Sequence, residues 1–326
     1  MSRTRSLIFL LALLLVAPLR AEDDDSRFET KYGKNFTYGG GRVSIDHGFG
    51  DLVIRTHNDD TVQVRATIRA SDDDLGKAIR ITTSESGNGV SIRTDIPEVR
   101  KSGHVSYSVD MTVTIPANAP LTAKNRFGNT DVRGLQAPST IDTKHGSIAF
   151  HDARGAQSLI NSFGSIEVTG VRGDLTVVDN NGSISVRDVD GVVTATNRFG
   201  LMSVRDVERS ATLTNTNGSI EALDIRGALK ATNAFGSVKA STVRGAADVT
   251  TSNARVELSN IGGAATVKNA FGEVIANSIG GTLNVDGSNG RIDAADIDGN
   301  ATIDTAFGGV TLRKVSGLAT VTSNNG

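Results

Sequence analysis

Six phenylalanines, Phe127, Phe163, Phe199, Phe235, Phe271 and Phe307, follow one another at intervals of 36 residues without a slip. Five of them stand in an Asn-x-Phe-Gly phrase that begins at Asn125, Asn161, Asn197, Asn233 and Asn269. Midway between them runs a second phrase whose third residue is usually Asn, as at Asn181, Asn217 and Asn289, with His145 in that place in "TKHG". The underlying step is half the phenylalanine interval. A fixed period of this length is the mark of a stacked repeat array, and it takes precedence over any reading as a globular domain.

Each unit can be counted from the Gly that ends its phrase, from Gly128 through Gly326, with Ala254 as the one exception. Two positions on come β-branched or large apolar residues such as Ile148, Ile166, Ile184 and Val238, and four positions on come Phe150, Val168, Val186 and Val204. This alternation predicts a strand with one buried face. Thirteen positions on, Ile141, Leu159, Val177 and Leu213 mark a second strand, and a second glycine at position nine, such as Gly155 or Gly173, separates the two. Glycine suits turns because it adopts backbone angles that other residues resist. No proline follows Pro138, as expected where every backbone N–H pairs with a neighbour.

Units this short cannot close a core alone and must stack. The fold expected is all-β: a parallel β-solenoid, or β-helix, of 18-residue units paired into 36-residue repeats. Either each unit is one coil and the corners alternate in size, or one coil takes the whole repeat and carries Phe and Asn ladders on opposite sides. Size favours the shorter coil. Asp152, Asp188, Asp224 and Asp296, read as confined to the Asn-type units, support the longer repeat as the selected unit. The corner residues Phe127, Phe163, Phe199, Phe235, Phe271, Phe307, Asn181, Asn217 and Asn289 are read as structural, the rings stabilising the stack and not binding a ligand.

Upstream, "RVSIDHGFGDLVIRT", "TVQVRATIRA" and "HVSYSVDMTVTIP" alternate like strands out of register with the repeats. They form a strand-rich N-terminal cap; "HGFG" at His47 is an early copy of the corner, and "SGNG" at Ser86 a hairpin-like turn. The organisation expected is a signal peptide at 1–21, an acidic and polar segment at 22–41, the cap at 42–120 and the solenoid at 121–326. The leader reading rests on Arg3 and Arg5 ahead of an apolar run that ends at Ala21. That run is shorter than the ~20 residues that cross a bilayer, so membrane contact is expected only if the segment is retained as an anchor. With no Cys in the chain, neither a lipidated cysteine nor a disulfide is available. Cleavage would remove Arg3, Arg5 and Arg20 and take the net charge of −2 further negative, which argues against nucleic acid as a partner.

With this start, the passage "VDMTVTIPANAPLTAKNRFG" and a train of "NGSISV" and "FGSIEV" units, the chain resembles the bacterial putative adhesin family, from about Arg42 to Gly326. The resemblance implies an envelope-associated β-solenoid and brings no catalytic residues with it.

No chemistry-bearing motif competes with this reading. His47, His57, His104, His145 and His151 lack the spacing of a metal site, so no metal and no cofactor is expected. Arg187 with Asp188 and Arg205 with Asp206 resemble the Arg and Asp clusters of β-helix enzymes acting on acidic polysaccharides, but a pair that recurs with the repeat balances charge more often than it catalyses. Paired outward threonines such as Thr194 and Thr196 suggest ice binding, a row that Lys230, Asp248, Lys268, Asp286 and Asp304 interrupt. The expected function is that of an exported, non-enzymatic scaffold or adhesion surface in the periplasm or on the cell surface. Its expected partner is an envelope protein, a glycan or the cell wall, with self-association through the last coil as a further expectation. A polysaccharide-active enzyme is the alternative.

Overall fold

The computed structural model describes residues 28–86, 89–97 and 105–325. The expected leader, the acidic run at Glu22 to Asp25, the tip of the "SGNG" turn, His104 and the mark at Gly326 lie outside the described residues. The described residues form two 15-stranded sheets and one short helix. From β8 (Leu121–Phe127) and β9 (Thr130–Arg133) onward, successive strands alternate between the two sheets, and each pairs in parallel with its counterpart in the preceding coil and, up to the last described coil, in the following one. Ile141 lies between Ala123 and Leu159, and Ile148 between Thr130 and Ile166. Residues at the same place in successive coils therefore form ladders, about 4.8 Å from rung to rung. The physical coil has 18 residues, and the parallel β-solenoid expected from the repeat is the fold observed.

The two sheets enclose a narrow core. The rows two, four and thirteen positions after each mark are buried as expected, with Ile166, Val168 and Val177 nearly inaccessible. Two further rows are also buried: position seven, with Val171, Val189, Val207 and Ile225, and position eleven, with Leu175, Val193, Ala211 and Leu229. Position seven breaks the strand alternation because the residue before it is left-handed. Asp152, Asp188, Asp206, Asp224, Thr242, Asn260, Ser278, Asp296 and Lys314 all have φ between 53° and 58°. This local kink resets the side-chain alternation so that position seven turns inward, as a bulge does. Asp and Asn tolerate that conformation better than other side chains, which accounts for the aspartates. Asp206 belongs to a Phe-type coil and adopts the same angle, so this column follows backbone conformation and not the doubled Phe-to-Phe period.

The alternation has another cause. In the Phe-type corners the mark glycines, from Gly128 to Gly308, have φ between 102° and 123°. In the Asn-type corners Gly146 and Gly290 open to 145° and 157°, and Gly182, Gly218 and Ala254 do not have positive φ. Two corner geometries alternate along one edge, and the only non-glycine mark stands in the kind that does not need a left-handed residue.

The N-terminal strands join the stack out of chain order. β1 (Phe28–Thr37), β2 (Val43–His47), β3 (Leu52–His57), β4 (Thr61–Ala70), α1 (Asp73–Ala78), β5 (Arg80–Ser86), β6 (Gly89–Asp95) and β7 (Tyr107–Pro116) precede β8. β2 pairs in parallel with β8 and β6, and β3 with β9 and β7, so β2 and β3 make a coil between the one from β6 and β7 and the one from β8 and β9. Gly50 of "HGFG" donates its N–H to Phe127 O at 2.8 Å, in register with the later corners. Beyond that first parallel coil, β4 and β1 add antiparallel strands to one sheet and β5 adds one to the other. The edge strand β1 presents Lys31, Gly33 and Lys34 to solvent, residues that discourage further strand addition. α1 is capped by Asp72, whose side chain accepts from Leu75 N at 2.9 Å.

The corner geometry separates two outwardly similar substitutions. Gly200→Ala places a Cβ against Gly182 O at a φ of 102°, and combines steric conflict with left-handed strain; it is expected to lower stability by roughly 2–4 kcal/mol. Gly218→Ala also meets a carbonyl, that of Gly200, but can relax toward the backbone Ala254 already adopts and is expected to cost less than half as much. Chemical denaturation of the two variants side by side checks the difference.

Candidate interaction surface

Most corners begin with a side chain that turns inward. Asn161, three residues before its mark, is buried, and its Nδ2 donates to Gly164 O of its own corner and to Gly146 O of the preceding coil, each at 2.9 Å. Its Oδ1 accepts from Ser162 N at 2.9 Å. Asn197 accepts from Arg198 N at 2.8 Å, and Asn197, Asn215, Asn233 and Asn269 each donate to the mark of the coil before at 2.9 Å. One buried amide thus satisfies corner carbonyls and ties two coils together, as the hydrogen-bonding capacity of Asn allows.

With Asn holding the inside of the corner, the residue before the glycine is placed on its outside. Phe127, Phe163, Phe199, Phe235, Phe271 and Phe307 are 43–52% exposed. They share a single column with the Asn-type residues: Asn181 lies between Phe163 and Phe199, Asn217 between Phe199 and Phe235, Asn253 between Phe235 and Phe271, and Asn289 between Phe271 and Phe307. The alternative of separate Phe and Asn ladders on opposite sides does not occur, and the corner rings are half-exposed. Sequence periodicity locates a residue in a coil but does not say whether a corner side chain points in or out.

At the N-terminal end the column is aromatic without a break. Tyr107 and Phe49 lie 5.0 Å apart and Phe49 and Phe127 5.3 Å apart, between ring centroids. His145 stacks between Phe127 and Phe163 at 4.7 and 4.9 Å, with interplanar angles of 5° and 4°. His145 thus takes the place of a corner Asn, as its position in the repeat implies. The stacked rings lie across the solenoid axis and show their edges to solvent.

The remaining histidines do not converge. His57 Nε2 is 2.7 Å from Thr61 O and Nδ1 3.4 Å from Asp59, while His151 is partly exposed on the strand Ile148–Arg154. His47 is buried at the inward position filled elsewhere by Asn, with Nδ1 2.9 Å from Thr94 Oγ1. Burial pushes its pKa down, against the backbone of Gly50 and Val109, which favours the charged form. Among the described residues no three His, Asp or Glu side chains are placed to hold a metal ion. Arg205 reaches Ser203 Oγ at 3.3 Å, and Asp188 and Asp206 occupy the left-handed column. Acidic and basic residues pair across coils on the surface, as Arg172 does with Asp190 and Arg226 with Glu208. Thr212, Lys230 and Asp248 face one another in register, so the threonine row is interrupted as expected.

Asp179 departs from the ladder. It is buried at the inward position between Asn161 and Asn197 but lacks an amide donor. Its Oδ1 accepts from Asn180 N at 2.8 Å, whereas Oδ2 has no partner. The strand before it, Leu175–Val178, has four residues, whereas those of the adjoining coils, Gln157–Phe163 and Val193–Phe199, have seven. Desolvation raises the Asp179 carboxyl to about 6, opposed by the N–H groups of Asn180 and Asn181.

No protein-family model matches the chain, and no curated protein matches it. Among solved structures it is similar to a putative adhesin from Bacteroides fragilis, at 13% identity over 91% of this chain and 97% of that one, with a TM-score of 0.31. It is also similar to a putative cell adhesion protein from Clostridium sporogenes, at 10% identity over 63% of this chain and all of that one, with a TM-score of 0.28. A putative lipid binding protein from Parabacteroides distasonis matches at 11% identity over 90% and 96% of the two chains, with a TM-score of 0.29. At these identities and scores the likeness assigns this chain no family and no activity.

Two outcomes follow from the corner. A carboxyl raised to about 6 is preferentially neutral in the fold, so its stabilising contribution is complete below the unfolded value of 3.8 and is lost as pH rises through about 6. Amide exchange in the strands flanking Asp179 is expected to quicken from pH 5 to pH 8, after correction for intrinsic rates, and Asp179→Asn to abolish that change by restoring the donor. Phe235→Ala removes a ring only half covered, and about 100 Å² of lost burial corresponds to about 2 kcal/mol, less than the ~3–5 of a fully buried ring. Thermal unfolding of the variant measures that loss.

Proposed function

We propose that this chain is an exported, non-enzymatic scaffold of the bacterial envelope, whose long sides present repeated side chains to another protein, a glycan or the cell wall. The proposal includes removal of a leader at 1–21, a polar segment at 22–41, a cap at 42–120 that closes the first coil, and a solenoid at 121–326 that carries the binding surfaces.

The supporting observation is the uniformity of the described surface. Three of its depressions are small: about 290 Å³ beside Lys31, Asp51, Arg65 and Asp110, about 200 Å³ beside Asp206, Asp224, Arg226 and Arg244, and about 290 Å³ beside Arg205, Glu221 and Lys239. None of these three includes a histidine. Catalysis on a repeat scaffold needs one place where unlike groups meet and shift one another's pKa. A surface that repeats with every coil suits extended contact instead.

The mature chain is expected to fractionate with the envelope and to begin near Glu22, to be retained by purified cell-wall material or by particular members of a glycan array, and to release no new reducing ends from acidic polysaccharides. Reducing-end release would replace this function with the enzymatic alternative.

A further inference from the structure

We infer that the alternating Phe and Asn edge is a self-complementary interface through which two copies of this chain associate side by side and antiparallel. The geometry supplies the first reason. From Phe163 to Phe307 rings recur on every second coil, about 9.6 Å apart at two strand spacings, with a shorter Asn side chain between them. The edge is therefore a row of ridges and gaps of equal period. The stack at Phe127, His145 and Phe163 shows that a ring placed midway between two corner phenylalanines sits at 4.7 and 4.9 Å from each. A twofold axis passing midway between a Phe coil and the adjoining Asn coil sets the rings of one copy opposite the Asn residues of the other, except where His145 takes the place of an Asn. With that axis between the coils of Asn217 and Phe235, Phe235 of each copy faces Asn217 of the other, and Phe199 faces Asn253. Because the contact is isologous, it closes as a dimer and does not propagate.

Area and charge point to the same occupant. Six rings that are 43–52% exposed present about 100 Å² each, roughly 600 Å² in all. That is at the upper end of the ~300–600 Å² seen for the largest apolar patch on a monomer. With the residues beside it, such a stripe approaches the ~800 Å² per partner of a stable interface. Beside the ladder in the first half of the array stand Lys124, Arg126, Lys144 and Arg198, with Asp142 opposing them; in the second half stand Asp286 and Asp304 with Lys268. All of these are exposed except Asp142, which is half-buried. The twofold axis of an antiparallel pair crosses the edge and keeps the same flank of the two ladders together, so it brings the basic half of one edge against the more acidic half of the other.

The test is the association state of the chain lacking residues 1–21, followed by sedimentation over a range of concentrations. The expected result is a monomer–dimer equilibrium that the double variant Phe199→Asn with Phe235→Asn weakens at least tenfold in Kd. Asn already occupies this column at 181, 217 and 289, so the variant keeps a side chain the fold accepts, and an unchanged circular dichroism spectrum verifies it. The chain has no cysteine, so one batch carrying Asn217→Cys mixed with another carrying Phe235→Cys is expected to form a disulfide between the two variants in preference to pairs of either variant with itself. A chain that stays monomeric up to the highest concentration overturns the inference, as does a dimer unaffected by the double variant. Loss of glycan or protein binding by that variant in a strictly monomeric chain would overturn it too, and would make the stripe a heterologous binding site.

Discussion

The backbone hydrogen bond between coils is the constraint from which the rest follows. Once each strand pairs in parallel with its counterpart in the next coil, every residue must sit above a residue that can share its backbone conformation. A left-handed position in one coil then imposes a left-handed position in the next, which is why Asp152, Asp188 and Asp206 share one angle with Thr242 and Lys314. The last two are poor choices on local grounds. Thr242 is held there by pairing with the coils on both sides, and Lys314 by pairing with the coil before it.

Stacking also creates a polar problem at every corner, where the chain leaves one sheet and the carbonyls of the turn face inward. A buried amide meets it in the coils of Asn125, Asn161, Asn197, Asn215, Asn233 and Asn269, and a threonine takes that place at Thr143, Thr251 and Thr305. The donors of Asn161 and Asn269 bridge their own corner and the one before. Asn is suited to this because it both donates and accepts from a short side chain. Where the column holds Asp179 the donor is missing, the strand is shortened, and an ionised group would be buried without compensation. The corner phenylalanines then occupy the outside by default, since the inside of the turn is already filled by an amide.

Much of this was legible in the sequence. An unbroken repeat step, alternating apolar positions and the absence of proline after Pro138 are direct consequences of parallel stacking, and they predict the coil and its two strands. The buried row at position seven was not legible, because a left-handed residue ahead of it breaks the alternation, and Asp, Thr, Ser and Lys in that column do not announce one backbone angle. The direction of the phenylalanines was hidden for a related reason: a corner side chain obeys neither the strand period nor any other. Nor does local pattern reveal that β6 and β7 stack outside β2 and β3, since that order is fixed by pairings between strands far apart in the chain.

A solenoid offers partners two kinds of surface, and they have different consequences. The first described coils are followed outward by antiparallel strands and a lysine-bearing edge, whereas Leu318 and Val321 in the last described coil are 69% and 47% exposed. Pairing through a coil end adds strands along the axis and would lengthen the stack, with each addition exposing another end. Pairing along a side acts across the axis, and its strength grows with the number of coils that match in register. The alternation of Phe and Asn coils strengthens that dependence, because a shift of one coil sets ring against ring and only a shift of two restores the match. The doubled period, which the core does not require, thus gives the outer edge a means of specifying register.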